Sequence, residues 1–337
     1  MLKKLLNKIR GTNLGYKFGR KMLSTNLIVN NIIYKYFYNR KIKRTIEKLE
    51  RGFPDGIDIG VTNLCNANCI MCPHSKLNKM GTMDIKLYKK IINNCVKLKI
   101  NNVTLSFFGE PLLDKSLIEK IKYAKSRNIA TAFYSNASLL NEKWAKSLVE
   151  SGLDSITISF DGNSKETYEK IRRNLNFDVT KKNILGLVEM RNELNKKNPK
   201  INLVLVELEE NKKEINDFYK EWKNKVDGIN IINMRNWAND IQKKGTKESF
   251  HFNKKLERKP CALIWRRMIV DWNGDVVLCC DDWNHSTILG NLNKQTIEEI
   301  WSGEKLRKIR EAHVKGEFHK VPLCSGCNKK SIWWLIR

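Results

Sequence analysis

Three cysteines stand in the run Thr62-Asn63-Leu64-Cys65-Asn66-Ala67-Asn68-Cys69-Ile70-Met71-Cys72. A C-x3-C-x2-C spacing puts three thiolates on one short loop, one fewer than a cubane [4Fe-4S] cluster has irons. Thiolates are the soft ligands that select iron–sulfur or zinc, and a closed structural zinc site takes four ligands. A fourth iron without a protein ligand is an open, reactive coordination position. The spacing differs from both ferredoxin patterns.

A second group comprises Cys261, Cys279, Cys324 and Cys327. Cys261 and Cys279 flank Gly274, and a fold-back there brings the two thiols together. Cys324-Ser325-Gly326-Cys327 is a chelating pair on a tight turn. Four such thiols can hold zinc or a fully ligated [4Fe-4S] cluster, and the spacing alone leans toward zinc. Cys280 is the spare, expected to point off the other side of the chain, and Cys95 sits among apolar residues as buried filler. His74 follows the first loop and can line a pocket or pack the loop. His251, His285, His313 and His319 have neither ligand spacing nor a paired carboxylate. No phosphate loop, zinc-protease motif or dinucleotide fingerprint is present.

These residues need a scaffold, and beyond residue 55 strand-like and helix-like segments alternate at βα spacing. Strands are predicted over 56–61, 103–107, 129–134, 155–160, 201–207 and 228–233. Helices are predicted over 84–98, 116–126, 142–151, 179–194 and 213–223. Six strands joined by helices suit an α/β fold, a parallel sheet curled into a partial (β/α)6 barrel; a full (β/α)8 barrel lacks two units. Active sites of parallel α/β folds gather at the carboxyl ends of strands, where the first cysteine loop lies. Residues 237–260 are polar and read as a linker. Segments 265–270 and 275–278 flank Asp271-Trp272-Asn273-Gly274, whose Asn-Gly pair signals a hairpin. One helix is predicted over 296–312. The chain thus divides into a basic helical extension (1–50), a barrel (51–236), the linker and a small C-terminal domain (261–337).

The 337 residues are 41 % apolar and can bury a large core. Nine cysteines, an odd number grouped by metal-like spacing, point to a reducing, cytoplasmic compartment rather than a disulfide framework. The N-terminus lacks a secretory signal, and no run approaches the ~20 apolar residues of a membrane-spanning helix. The net charge of +27 is spread along the chain without a nucleic-acid-binding module, which argues against nucleic acid. Residues 1–50 hold 13 Lys/Arg against Glu47 and Glu50 and include the apolar stretch 27–38. They read either as a helix packed on the domain or as a peripheral contact with the inner membrane face.

Cys65, Cys69 and Cys72 resemble the cluster loop of the radical S-adenosylmethionine (radical SAM) superfamily, with Met71 where an aromatic residue is usual. The resemblance implies that the unique iron chelates the methionine moiety of the cofactor, and that reduction releases a 5′-deoxyadenosyl radical. Phe108-Gly109-Glu110-Pro111 resembles the family's Gly-Gly-Glu-Pro motif, Phe108 replacing the first glycine. There, strand-end carbonyls and the acid accept hydrogen bonds from the cofactor's ammonium group. Gly109 and Pro111 free such carbonyls from the ladder. More loosely, Asn136, Ser159 and Arg172 map onto contacts with the ribose or the methionine carboxylate, while Asp161 is expected to cap a turn into the next helix.

The C-terminal part resembles the SPASM/twitch extension of the same superfamily in its short form. Gly274, Cys279-Cys280-Asp281, Gly290-Asn291 and Ile300-Trp301 recur there. This resemblance reverses the lean toward zinc: it implies that Cys261, Cys279, Cys324 and Cys327 ligate one auxiliary [4Fe-4S] cluster. The spacing is most similar to that of twitch dehydrogenases that oxidise a cyclitol alcohol. The implied cofactors are S-adenosyl-L-methionine and two [4Fe-4S] clusters, with a flavodoxin- or ferredoxin-type electron donor.

The expected activity is that of a radical SAM oxidoreductase abstracting hydrogen from a polar small molecule, in the oxidation or epimerisation of a sugar or cyclitol. The auxiliary cluster exchanges the electron that completes turnover. Arg235, leaving the last core strand, is the candidate catalytic residue, its guanidinium fork suited to a hydroxylate, phosphate or carboxylate; Trp237 can close the same pocket. Two alternatives are a maturase acting on a ribosomal peptide or protein side chain and a non-enzymatic iron–sulfur module on nucleic acid or membrane.

Overall fold

The computed structural model describes residues 32–50, 52–235, 237 and 258–327. Most of the expected linker, the apolar tail 332–336 and the basic segment before residue 32 lie outside the described residues. Among those described, no helix is long and apolar enough to cross a membrane.

A helix, α1 (Ile32–Leu49), precedes β1 (Gly56–Ile59). The alternation then runs α2 (Ile85–Lys97), β2 (Asn102–Thr104), α3 (Leu117–Lys125), β3 (Ala130–Ser135), α4 (Glu142–Glu150), β4 (Ser155–Ser159). Next come α5 (Lys165–Ile171), α6 (Phe177–Glu193), β5 (Lys200–Glu207), α7 (Ile215–Trp222) and β6 (Gly228–Asn233). Side-chain oxygens set several helix starts: Asp84, Asn141, Ser164 and Asn176 each accept a first-turn amide. The six strands are parallel neighbours in sequence order, as the partial (β/α)6 barrel requires. α5 was not anticipated from sequence, and β2 stops three residues short of its expected end.

Each strand separates two chemistries. Ile57, Ile59, Val103, Phe133, Ile156, Ile158, Ile201 and Leu203 are buried with Ile91, Ile121, Leu148, Ile184 and Phe218 of the helices. Full burial of each such side chain is worth about 1.5–3 kcal/mol. The intervening positions share the opposite face by register: Asp58 beside Thr104, Thr104 beside Ala132, Tyr134 beside Thr157, Thr157 beside Asn202. That inner face is polar or small and open.

The C-terminal segment does not build a sheet of its own. β7 (Arg267–Val270), β8 (Asp275–Val277) and β9 (Ile288–Asn291) continue the barrel sheet in the order β6-β5-β4-β3-β2-β1-β7-β8-β9. β7 lies parallel to β1 and covers the edge that β1 would otherwise expose. Gly274 turns the expected hairpin at φ +87°, where a Cβ would run into Asn293 Nδ2. The single helix expected over 296–312 is two, α8 (Ile297–Trp301) and α9 (Glu304–Val314). Thr296 and Glu299 form a capping box on the first, and the extended backbone of Gly303 breaks the run before the second. A last short turn, α10 (Pro322–Ser325), carries Cys324. Trp301 and Trp265 tie this segment to the end of α1 through Gly52 O at 2.9 Å and Glu50 Oε1 at 3.5 Å.

Candidate active site and metal centres

The loop after β1 is pinched shut at its neck. Thr62 pairs with Thr82, the Asn63 carboxamide bonds Lys79 O and the Gly81 amide at 2.7 Å each, and His74 Nε2 meets Asn63 O at 2.6 Å. His74 therefore packs the loop. Between these ties Cys65, Cys69 and Cys72 hang on one short arc, the Cys72 amide donating to Cys69 O at 3.1 Å. The unanticipated helix α5 holds the arc from outside. The amides of Asn68 and Ile70 donate to Arg173 O and Ile171 O, at 3.0 Å each. Burial pushes the Cys65 thiol up to about 12 and the Cys72 thiol up to about 11. Such thiols stay protonated until a metal ion replaces the proton.

Arg172, at the end of α5, brings its Nη1 to 3.4 Å from Cys69 Sγ. Its other edge is clamped by Asp161, whose Oδ2 lies 2.5 Å from Nε and Nη2. Burial opposes the guanidinium charge, but Asp161 and Cys69 overcome it and raise the pKa. Asp161 does not cap a turn into the next helix, as expected; Ser164 caps α5. Asp161 is fully buried, and its second oxygen accepts the Val206 amide at 2.6 Å. The sequence could not reveal this pair because it joins two strand ends to a helix end.

The Phe108-Gly109-Glu110-Pro111 segment is bolted to the same loop. Gly109 has φ +102°, and a Cβ there would lie 2.6 Å from Thr62 O and 2.7 Å from Asn63 Cα. Only glycine meets both demands. The Glu110 amide donates to Leu64 O at 2.7 Å, and Pro111 opens a short turn over Pro111–Leu113. The Glu110 carboxylate is buried and accepts three bonds, from Leu112 N, Ser135 Oγ and Asn136 N. Burial raises its pKa, while these donors pull the other way. Glu110 thus organises the strand ends with its side chain. Asn136 reaches back to Asn66 inside the cysteine loop at 2.9 Å, and Asn66 bonds Ser138 Oγ at 2.8 Å.

Ser159, at the carboxyl end of β4, is half-buried on the inner face. Asn163 and Asn233, just beyond β4 and ending β6, each bury an Oδ1 with no partner. Orphaned acceptors at strand ends fit a bound polar molecule. Trp237 donates from Nε1 to Met71 O at 2.8 Å, and its ring leans on Phe108 at 5.3 Å between centroids.

Arg235 approaches the inner face from β6 and meets the chain after β8. Its Nη1 lies 3.2 Å from Cys280 Sγ and 3.3 Å from Asp281 Oδ1. The Cys280 sulfur, and beyond the opposing burial Asp281, hold its guanidinium strongly charged. Cys280 therefore does not point away from the site: the turn after β8 aims it at Arg235. Tyr134 is 52 % exposed, but to this walled face, and burial there still raises its phenol. Arg267 closes the amino end of the same face on Asp58, Thr104 Oγ1 and Asn102 Oδ1.

In the C-terminal segment Cys261 and Cys327 lie near enough to Cys324 to resist its ionisation; with burial as the larger cause, its thiol rises to about 12. The Asp281 amide faces Cys279 Sγ at 3.4 Å. His313, whose sequence spacing shows no ligand pattern, stands between two of these cysteines: the Cys261 amide donates to Nδ1 at 3.2 Å, and Nε2 lies 3.3 Å from Cys324 Sγ. Burial lowers its pKa to about 4. Cys95 is fully buried in α2.

Among the described residues no three Cys, His, Asp or Glu side chains converge on a position for a single metal ion. Soft thiols grouped in this way are the ligands that iron–sulfur groups and zinc share.

Comparison with known proteins agrees with this chemistry. The radical SAM superfamily model matches residues 59–221, and an iron–sulfur cluster-binding domain model matches residues 261–328. An S-adenosyl-L-methionine-dependent 2-deoxy-scyllo-inosamine dehydrogenase of Niallia circulans is 24 % identical over 286 residues, 82 % of this chain and 93 % of the relative. The crystal structure of BtrN with S-adenosylmethionine and 2-DOIA is similar at a TM-score of 0.57 and 20 % identity, covering 83 % of this chain and 94 % of BtrN. SuiB of Streptococcus suis bound to S-adenosylmethionine is similar at a TM-score of 0.66 and 15 % identity, covering 85 % of this chain and 81 % of SuiB.

Proposed function

This chain belongs to the radical SAM superfamily and carries a C-terminal iron–sulfur domain, and from that premise we propose that it oxidises or epimerises a sugar or cyclitol at a carbinol carbon. Its cofactors are S-adenosyl-L-methionine and two [4Fe-4S] clusters. Bound, they supply a primary-carbon radical able to take hydrogen from an unactivated C–H, together with a second electron-carrying centre.

The observation that carries the reading is the inner face of the sheet. Asp58, Thr104, Tyr134, Thr157 and Asn202 line it in register, and Arg235 with Asp281 stands at its mouth. Arg267 takes up Asp58 and Thr104 at the amino end, so a molecule rich in hydroxyl or amino groups would meet Tyr134, Thr157, Arg235 and Asp281 toward the carboxyl end. The likeness to the cyclitol dehydrogenase, over 93 % of that relative's length, supports the same substrate class.

The chain's residues divide the work. Cys65, Cys69 and Cys72 would hold the open cluster, with Arg172 beside the Cys69 sulfur. Phe108, Gly109, Glu110 and Pro111 would shape the strand end that receives the cofactor's amino group, with Asn136 and Ser159 at its flanks. Tyr134 and Arg235 would orient the substrate, and Asp281 Oδ1 would accept a hydrogen bond from its hydroxyl. Trp237, seated on Met71 O and Phe108, would keep water from the reacting carbon. Cys261, Cys279, Cys324 and Cys327 would hold the second cluster, one residue from the Cys280–Asp281 step. A flavodoxin- or ferredoxin-type protein would deliver the starting electron.

The test is deuterium transfer. The anaerobically reconstituted enzyme is given carbinol-deuterated aminocyclitols and sugars, and in parallel deuterated acidic peptides. Deuterium in 5′-deoxyadenosine from a cyclitol or sugar supports the proposal. Deuterium arriving only from peptide replaces it with the maturase reading.

A further inference from the structure

His313 has no place in the radical chemistry above, yet it is fully buried between two cysteines of the C-terminal group. The residue lies on α9, which delivers it between the strand-proximal Cys261 and the short turn carrying Cys324. A backbone N–H can only donate, so the Cys261 amide, 3.2 Å away, requires Nδ1 to be an acceptor. The imidazole proton then sits on Nε2, the atom 3.3 Å from Cys324 Sγ. The edge-on ring of Phe318, 5.0 Å away at 89°, and Trp265 at 6.4 Å hold the imidazole plane. Arg258 secures the other side of Cys324 by donating to its carbonyl at 2.7 Å.

We propose that His313 is a positioning residue of the second iron–sulfur site: it donates Nε2–H to the Cys324 sulfur and thereby raises the reduction potential of the cluster held there. The physical reason is that an N–H aimed at a thiolate draws electron density from it and favours the more negative, reduced state. The same geometry argues against His313 as a ligand, because the nitrogen facing the site carries the proton. The inference rests on Cys261, Cys279, Cys324 and Cys327 sharing one cluster.

The test uses the full chain with Cys65, Cys69 and Cys72 changed to Ala, so that only the second site is loaded. About four irons per chain are expected in this background; none would sink the cluster assignment itself, independently of His313. EPR-monitored redox titration then compares His313 with His313→Phe and His313→Gln. With iron retained, His313→Phe should lower the equilibrium constant for one-electron reduction about tenfold, 59 mV. His313→Gln, which keeps an N–H within reach of the sulfur, should recover part of the shift. An unchanged potential in an iron-loaded His313→Phe protein overturns the proposal. Should that variant lose its cluster, pulsed EPR of the His313-bearing protein, labelled with 15N-histidine and exchanged into D2O, decides. A strongly coupled exchangeable proton with only weak nitrogen coupling supports the donor role. Ligand-strength nitrogen coupling, or no exchangeable proton, overturns it.

Discussion

Arg235 aims Nη1 at the sulfur of Cys280, 3.2 Å away, across a separation of 45 residues along the chain. The contact joins the last barrel strand to the turn beside Cys279, and so couples the proposed substrate mouth to the proposed second metal site. Removing a charged hydrogen-bond donor at such a position costs about 1.5–3 kcal/mol. Arg235→Ala should therefore lower kcat/KM for the substrate about 10- to 100-fold. Cofactor cleavage without substrate should persist, since Arg235 touches none of Cys65, Cys69 and Cys72. Steady-state assays of product beside 5′-deoxyadenosine separate the two effects, and an equal loss of both would remove Arg235 from substrate binding.

The two cysteine sets predict about eight irons per anaerobically reconstituted chain. Changing Cys65, Cys69 and Cys72 to Ala should leave about four, with no 5′-deoxyadenosine released on reduction. Iron and zinc analysis by inductively coupled plasma mass spectrometry checks this. Zinc at the second site would contradict it.

Loss of Cys324 should stop product formation while some uncoupled 5′-deoxyadenosine survives, because the open site keeps all three of its cysteines. The comparison must be made on a folded Cys324→Ala protein, verified by circular dichroism. Undiminished product without the second cluster would make that site architectural.

Gly109→Ala should be costly far beyond its size. The residue sits at φ +102°, and the new Cβ would fall 2.6 Å from Thr62 O. A non-glycine residue forced into that conformation costs about 1–3 kcal/mol, before the backbone moves to relieve the contact. The expected outcome is a lower Tm together with weaker S-adenosylmethionine binding by calorimetry, because the strain is shared with the cysteine loop. Unchanged affinity would separate this motif from the cofactor.

His285, which the sequence offers no paired carboxylate, meets two in the fold and gives stability a pH dependence. Its Nε2 lies 2.9 Å from Asp271 Oδ2 and its Nδ1 3.5 Å from Asp275 Oδ2. The hydrogen bond to Asp271 raises its pKa against partial burial, with Asp275 assisting. A raised folded-state pKa contributes stability that is complete below the ordinary value near 6.5 and disappears as pH climbs through the folded-state pKa. The difference in Tm between the parent protein and His285→Gln should accordingly be larger at pH 6 than at pH 9. A difference independent of pH would mean that folding leaves the imidazole's proton affinity unchanged, and a difference larger at pH 9 would mean that the fold favours its neutral form.

The sequence alone determined the barrel, because local order is written in local periodicity. In Gly56-Ile57-Asp58-Ile59 and Ser155-Ile156-Thr157-Ile158, apolar and polar residues alternate with the period of two that a half-buried strand imposes. Gly109 and the Asn273-Gly274 turn were legible for the same reason: backbone conformation restricts residue type at fixed short spacings. Helix α5 escaped because its seven residues carry too little periodicity, and the break at Gly303 because a single glycine does not announce that the chain turns there.

What only the tertiary structure decided are the pairings between distant segments. Arg172 meets Cys69 across 103 residues, and His313 meets the Cys261 amide across 52. β7 joins β1 and merges the C-terminal hairpin with the barrel sheet. No spacing rule encodes these contacts. They follow from which faces pack once α5, α9 and the edge of β1 bury their apolar surfaces, and that choice is made by the whole core at once.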